Sequence, residues 1–426
     1  MVGTLIVVPV VAIATLLVAP APAGSLSSVS GSGLAAERID PDPPGVPIAV
    51  VGSFGPAGSA GASADSLTDS AHGDRAVSAV LADLEDFWTE QLSTGGGPGF
   101  RAPRGGYVSM DSTAGTGTAL CISDPAQIAG NAFYCPGNDG IVFDSSALVP
   151  VLLAGYGSAA LAGAFAHEFG HAIQAQIGPT PDDRRTDADR YPAVLIEAQA
   201  DCDAGAFLSW ASTGAAVRVH IPPESLVRAV APLLDFRDPA TLSPRDPTAH
   251  GLGLDRLSFV LRGFSGGASA CHTMTVDDLS LTLGREGVTT SPPSTLPRFG
   301  STADALAAAT TSVSEFAQGQ NLAVGTGAQL TPHPSDLALA APLGQFAAAS
   351  AVALAAGQQL TGNRVGAACF TGAWTASVFG KAGVDELGSW PTDADEAMDL
   401  IRARPHVGFD ELAGFAAGFH GGLPAC

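Results

Sequence analysis

The chain has 426 residues, room for about two to three domains. Its 46% hydrophobic content can fill a sizeable core and excludes global disorder. Nineteen basic against 41 acidic side chains give a formal charge of −22, which repels phosphate backbones and argues against a nucleic-acid partner.

Val2 to Val18 is an apolar run, followed by Ala19-Pro20-Ala21-Pro22-Ala23 with its small-residue cleavage sites. It reads as a secretory signal peptide over 1–23, cut after Ala21 or Ala23. No Lys or Arg precedes the run, so an uncleaved anchor on the outer membrane face is the alternative, and contact with a membrane is expected only in that case. Residues 24–72, rich in Ser, Gly, Ala and Pro, read as a flexible leader. Six cysteines (Cys121, Cys135, Cys202, Cys271, Cys369 and Cys426) suit an exported, disulfide-bonded chain. None forms a C-x-x-C pair, which argues against a cysteine zinc site.

From Asp74 to Leu92, apolar residues recur at helical spacing: Val77, Val80, Leu81, Leu84, Phe87 and Trp88. Phe133 to Asp144 reads as two short strands around a Gly/Asn/Asp turn. Ala147 to Ala166 is long enough to span a bilayer, but Pro150, Gly155 and Gly157 interrupt it, and a buried core helix is the expectation.

That run leads into His167-Glu168-Phe169-Gly170-His171, an H-E-x-x-H motif. Two histidines four apart share a helical face and can reach one metal, with Glu168 placed to take a proton from water. A catalytic zinc needs a third protein ligand. Glu197 follows 26 residues after His171, in the apolar helical segment Val194 to Trp210, and Asp201 lies one turn further on. One carboxylate can bind the metal while the other holds a ligand histidine through its free ring N–H. Asp182 to Arg190, between these motifs, reads as a solvated loop near the cleft.

Residues 273–301 read as a Thr/Ser/Pro-rich linker. The chain beyond it repeats the chain before it. Leu254 to Cys271 and Phe409 to Cys426 agree at 8 of 18 positions, both terminal cysteines included. The segment around Cys202 pairs likewise with that around Cys369. The economical bridges are therefore Cys202–Cys271 and Cys369–Cys426, leaving Cys121–Cys135, each long-loop bridge contributing roughly 2–4 kcal/mol.

The H-E-x-x-H…E-x-x-x-D constellation resembles the glutamate-liganded zincins, thermolysin among them. Tyr134-Cys135-Pro136, Ile141-Val142-Phe143-Asp144, Ala166 to His171, Glu197 to Cys202, and His250-Gly251…Asp255-Arg256…Arg262-Gly263-Phe264…Cys271 look, in that order, like the putative neutral zinc metallopeptidase family. The resemblance covers roughly Asp74 to Cys271. It implies a secreted peptidase with one Zn²⁺ on His167, His171 and Glu197, Glu168 as general base, and Asp201 orienting His167. The expected fold is α+β, a helix-rich zincin-like domain with a short antiparallel sheet over 73–272, then a degenerate duplicated copy over 302–426. In that copy Leu354, Ala355 and Gln358 stand where His167, Glu168 and His171 stand, and Ala368 replaces Asp201, so no second zinc is expected. The copy is expected to be a structural or recognition domain: a chain ending near Thr273 is expected still to bind zinc, and to cleave an unstructured peptide if the two domains share little interface.

His250 lies where thermolysin-like enzymes carry an oxyanion-stabilising histidine; the alternative is a loop-anchoring histidine, since His406 holds a comparable place in the second copy. Tyr134 and Tyr156 are further oxyanion donors on paper, against a core or strand role. The expected substrate is a polypeptide or a cell-wall peptide. A catalytically silent secreted binding protein and a peptidoglycan stem-peptide hydrolase are the rival readings.

Overall fold

The computed structural model describes residues 48–51, 70–93, 99–282, 299–325, 327–379, 387–388, 390 and 392–426. The expected signal segment, most of the leader and residues 283–298 of the linker lie outside them.

The fold is helix-rich α+β, with one small sheet. Strands β1 (Ile48–Val51), β2 (Gly106–Met110), β3 (Ala132–Cys135) and β4 (Gly140–Asp144) lie in the order β1-β2-β4-β3. The β3–β4 hairpin is antiparallel, pairing Tyr134 with Ile141 across the expected turn. The rest of the sheet is parallel, with Tyr107 opposite Ile141 and Ile48 opposite Tyr107. β1 falls inside the stretch expected as leader: Ile48-Ala49-Val50-Val51 is a β-prone run, and pairing with β2 orders it.

Helix α1 (Ser70–Ser93) buries the six residues that carry its periodicity, Phe87 and Trp88 among them. The long apolar stretch forms two helices, α2 (Leu148–Tyr156) and α3 (Ala159–Ile177), rather than one. Gly157 ends the first at φ 90°, a conformation that favours glycine. α4 (Pro181–Thr186) occupies the segment expected as loop, opened by a capping box between Thr180 and Asp183 with Pro181 at its first position. α5 (Ala193–Ser212), α6 (Leu226–Asp235), α7 (Gly253–Gly266) and the short α8 (Ala268–His272) complete this half. Residues 273–282, expected as linker, pack against it: Met274 is buried, and Thr282 donates to Asp255 Oδ1 through its backbone N (2.8 Å) and hydroxyl (2.5 Å).

Six helices follow: α9 (Thr302–Gly319), α10 (Pro334–Ala340), α11 (Gln345–Thr361), α12 (Arg364–Val378), α13 (Asp393–Arg402) and α14 (Phe409–Gly421). Residues 299–426 contain no strand among the described residues. The two halves pack their helices in like manner. α3 touches α1, α5 and α6, and α5 touches α7; α11 touches α9, α12 and α13, and α12 touches α14.

The tightest of these contacts rest on glycine in both halves. A Cβ on Gly205 would run into the Val260 carbonyl oxygen, and one on Gly263 into that of Cys202. Gly372 stands in the same way against Phe415, and Gly418 against Cys369. A disulfide reinforces each crossing from just beyond it: Cys202 of α5 is bridged to Cys271 of α8, which follows α7, and Cys369 of α12 to Cys426, which follows α14; the third bridge is Cys121–Cys135. The arrangement brings backbone against backbone, and the bridge then fixes the pair.

The halves are not loosely joined. The Phe264 and Phe409 rings lie 4.8 Å apart, tilted at 58°, Arg237 donates to Asp399 Oδ2 at 2.8 Å, and Arg402 donates to both Asp235 oxygens at 2.5 and 3.0 Å. The contacts between the halves are thus both charged and aromatic.

Candidate metal centre

α3 carries His167, Glu168 and His171, with the two histidines four residues apart on one face as their spacing requires. α5 crosses α3 closely at the level of the motif, where Gly170 leaves room: a Cβ there would sit 3.0 Å from Ala200 Cα, so close that the neighbouring helix would have to give by a few tenths of an ångström. The close crossing brings Glu197 to the histidines. Its Oε2 lies 3.2 Å from His167 Nε2 and 3.4 Å from His171 Nε2.

The donors fit a zinc ion. Nε2 of His167, Nε2 of His171 and a carboxylate oxygen of Glu197 all lie within 4.8 Å of one another. Tetrahedral ligands at about 2.0–2.2 Å from a metal stand roughly 3.3–3.6 Å apart, which matches the two Glu197 distances. Glu197 Oε2 is buried without a hydrogen-bond partner. A carboxylate oxygen facing two ring nitrogens requires a positive charge between them, either a proton or a metal ion. In the metal-free chain burial opposes a charged His167, but the Asp201 and Glu197 carboxylates outweigh it and push the imidazole up to about 10. Burial would raise Glu197, yet the facing His171 and His250 hold it well below the usual carboxylate range.

Both histidines are turned by their other nitrogen. His167 Nδ1 lies 2.7 Å from Asp201 Oδ1, leaving Nε2 to face the donors. Asp201, fully buried, is held in turn by Arg256, whose Nε reaches Oδ2 at 2.8 Å and Nη2 reaches Oδ1 at 2.7 Å. His171 Nδ1 lies 3.1 Å from Gln174 Oε1, and Gln174 Nε2 donates to the Ile196 carbonyl at 2.8 Å. Arg184 of α4 donates to the same Gln174 Oε1 at 3.0 Å.

These groups open on a cleft of about 290 Å³. Phe133, Tyr134 and Pro136 of the hairpin line one side, and Arg184 and His250 line it as well. β3 is the edge strand of the sheet. Glu168 lies in the cleft with its Oε2 accepting the Tyr134 backbone N–H at 3.1 Å. Burial raises its pKa, against the facing His167 and His171.

The remaining candidates separate. His250 Nε2 is 3.8 Å from Glu197 Oε2, while its backbone N donates to Asp238 Oδ2 at 2.6 Å and its Nδ1 lies 3.5 Å from Asp238 Oδ1. Its ring thus lies beside Glu197 while its backbone anchors the loop. Tyr134 turns its hydroxyl into Asp139 Oδ1 at 2.9 Å, within its own hairpin. Tyr156 is not among the cleft residues; it bonds to Asp235, and burial and that carboxylate push it up to about 12. Neither tyrosine hydroxyl is presented to the donors.

Sequence reasoning did not single out Gln174, Arg184 or the role of Arg256. Gln174 follows His171 by three residues, so helical spacing alone could have found it. Arg184 and Arg256 stand on α4 and α7, helices brought to the site by chain paths that no periodicity reveals.

Residues 48–274, more than half of the chain, match the putative neutral zinc metallopeptidase family, and the chain belongs to that family. No curated protein and no solved structure matches it. Membership places the chain among zinc peptidases, and the donor cluster fits that metal.

Proposed function

We propose that this chain is an extracellular metallopeptidase that hydrolyses peptide bonds with one zinc per chain, held by His167, His171 and Glu197. The observation that carries the reading is the buried, unbonded Glu197 Oε2 between two Nε2 atoms, with the Glu168 carboxylate in the same cleft. Zinc bound there supplies a Lewis acid that polarises a carbonyl and brings the pKa of water to about 7.

The chain's own residues do the rest. Asp201 and Gln174 accept from the Nδ1 positions and keep both Nε2 atoms aimed. Glu168 takes the proton of the attacking water and passes it to the leaving amine. The Tyr134 N–H keeps its carboxylate in place, and its raised pKa suits a group that must hold a proton between the two steps. An extended substrate can run along β3, whose outer edge pairs with no other strand among the described residues. His250 is the donor placed to stabilise a developing oxyanion. His250→Ala is therefore expected to lower kcat by about 10²–10³-fold without loss of zinc; unchanged kinetics would leave it only the loop contact to Asp238.

Three disulfides suit an oxidising compartment, which supports the signal-peptide reading of residues 1–23. No helix of the described residues is long and apolar enough to cross a membrane. The like glycine contacts and bridges support reading 302–426 as a degenerate copy of part of 73–272. Among the described residues its helices hold no second cluster of three metal-binding side chains.

Metal analysis of the purified chain tests the centre: one zinc per chain is expected, and a content far below that in protein never exposed to chelator would sink it. Parallel assays on casein and on peptidoglycan decide the substrate. Cleavage of casein supports a protein substrate, release of stem peptides alone a cell-wall one, and neither would favour a silent binding protein.

A further inference from the structure

The two halves of the chain meet at the N-terminus of α7. A helix start leaves backbone N–H groups without intrahelical partners, and Leu252, which precedes α7, makes no side-chain cap. The partner comes from the other half. Asp395 of α13, buried at 1% exposure, accepts the Gly253 N–H through Oδ2 at 3.0 Å and the Leu254 N–H through Oδ1 at 2.8 Å. A carboxylate at this end also complements the helix dipole. Arg237 Nε stands 3.5 Å from Asp395 Oδ2 and ties the pair to Asp399. Gly253 has no side chain where one would press on Arg237 and Met398, so the α7 start sits directly against α13.

Two residues further along α7 is Arg256, whose fork holds Asp201, which holds His167. The contacts run without a gap from Asp395 through one turn of helix to a proposed zinc ligand. Resting on the zinc centre proposed above, we infer that Asp395 is a positioning residue for that centre. It fixes the depth and rotation of the first turn of α7, and through Arg256 and Asp201 the direction of the His167 ring. The half that lacks metal ligands thereby takes part in building the site. It does so across an interface of the kind that carries buried charge.

The neighbouring residue supplies a matched control. Glu396 accepts the Phe346 and Ala347 N–H groups at 3.0 and 3.1 Å, so it caps α11 of its own half as Asp395 caps α7 of the other. Both variants to alanine uncap one buried helix start, and only one of those helices carries Arg256.

The full-length chain, Asp395→Ala and Glu396→Ala should be compared for zinc dissociation constant by chelator competition, for kcat and KM on casein, and for melting temperature. Disturbing a residue that orients a ligand typically weakens metal affinity or activity about 10–100-fold. Asp395→Ala is expected to weaken zinc binding and lower kcat by about tenfold, with KM little changed. Glu396→Ala is expected to melt lower with both quantities within about twofold of wild type. Asp395→Asn, which keeps the shape and an acceptor oxygen, should fall between, and it carries the same comparison if the alanine variant does not fold. Equal effects of the two positions on zinc affinity and kcat, in proportion to melting temperature, would overturn the coupling. If wild type holds no zinc, the centre itself fails and this inference with it; if wild type holds zinc and only the comparison fails, the centre stands.

Discussion

Glu168→Gln is expected to keep its zinc and to lose activity by about 10²–10⁴-fold in kcat, the usual contribution of a positioned general base. The amide matches the carboxylate in shape. One oxygen remains to accept the Tyr134 N–H, which now meets Glu168 Oε2 at 3.1 Å. The donors His167, His171 and Glu197 are untouched, and Glu168 is not part of their cluster. What the amide cannot do is take up a proton. Steady-state kinetics beside zinc analysis check this. Near-normal turnover would show that another group accepts the proton, and loss of zinc would show that Glu168 is a ligand.

Arg256→Leu is expected to cost about 3–5 kcal/mol of folding stability, the range for breaking a buried ion pair from one side. Arg256 is 2% exposed and Asp201 is fully buried. Removing the guanidinium takes two charge-assisted bonds from Asp201, at 2.8 and 2.7 Å, and one from the Phe236 carbonyl, at 3.0 Å. It leaves a buried carboxylate with His167 Nδ1 as its remaining side-chain partner among these contacts. The penalty comes from the stranded charge more than from the lost contact. Adding Asp201→Asn to Arg256→Leu should therefore recover part of the stability. Urea unfolding of the three proteins measures it. A single variant as stable as wild type, or a double variant worse than the sum, would mean that Asp201 is compensated by other groups.

Much of the centre was legible in the residues themselves. Two histidines four apart, an acid between them, and a later acid followed by another at helical spacing form a pattern visible in the residues, and the structure brings His167, His171, Glu197 and Asp201 together. The helices were legible where apolar residues recur, as in α1. The repeat named two of the three bridges, because matching cysteines must fall at matching places in a shared chain path, and left Cys121–Cys135 as the third. What stayed hidden was contact between distant segments. Asp201 meets Arg256 across 55 residues, and Gly253 meets Asp395 across 142. Such pairs leave no periodic trace. The parallel strands were hidden for the same reason: β2 joins β4 over a long connection, whereas the β3–β4 hairpin announces itself by its turn. The split at Gly157 and the helix at Pro181 were written locally, in a glycine and in a Thr-Pro-x-Asp cap, and were read instead as details of a longer helix and a loop.

The cap on α7 has a consequence for how the chain comes into being. Gly253 and Leu254 are made well before their partner, since Asp395 follows Gly253 by 142 residues. At about 5–20 residues per second, synthesis reaches Asp395 roughly 7–30 s later. Throughout that interval every proposed ligand and the proposed base already exist, yet the helix that steadies them lacks its cap. If the coupling inferred above holds, a hydrolase assembled in this order reaches its working shape only once Asp395 has been made, so copies cut short before that point are expected to have the least power to cut their neighbours.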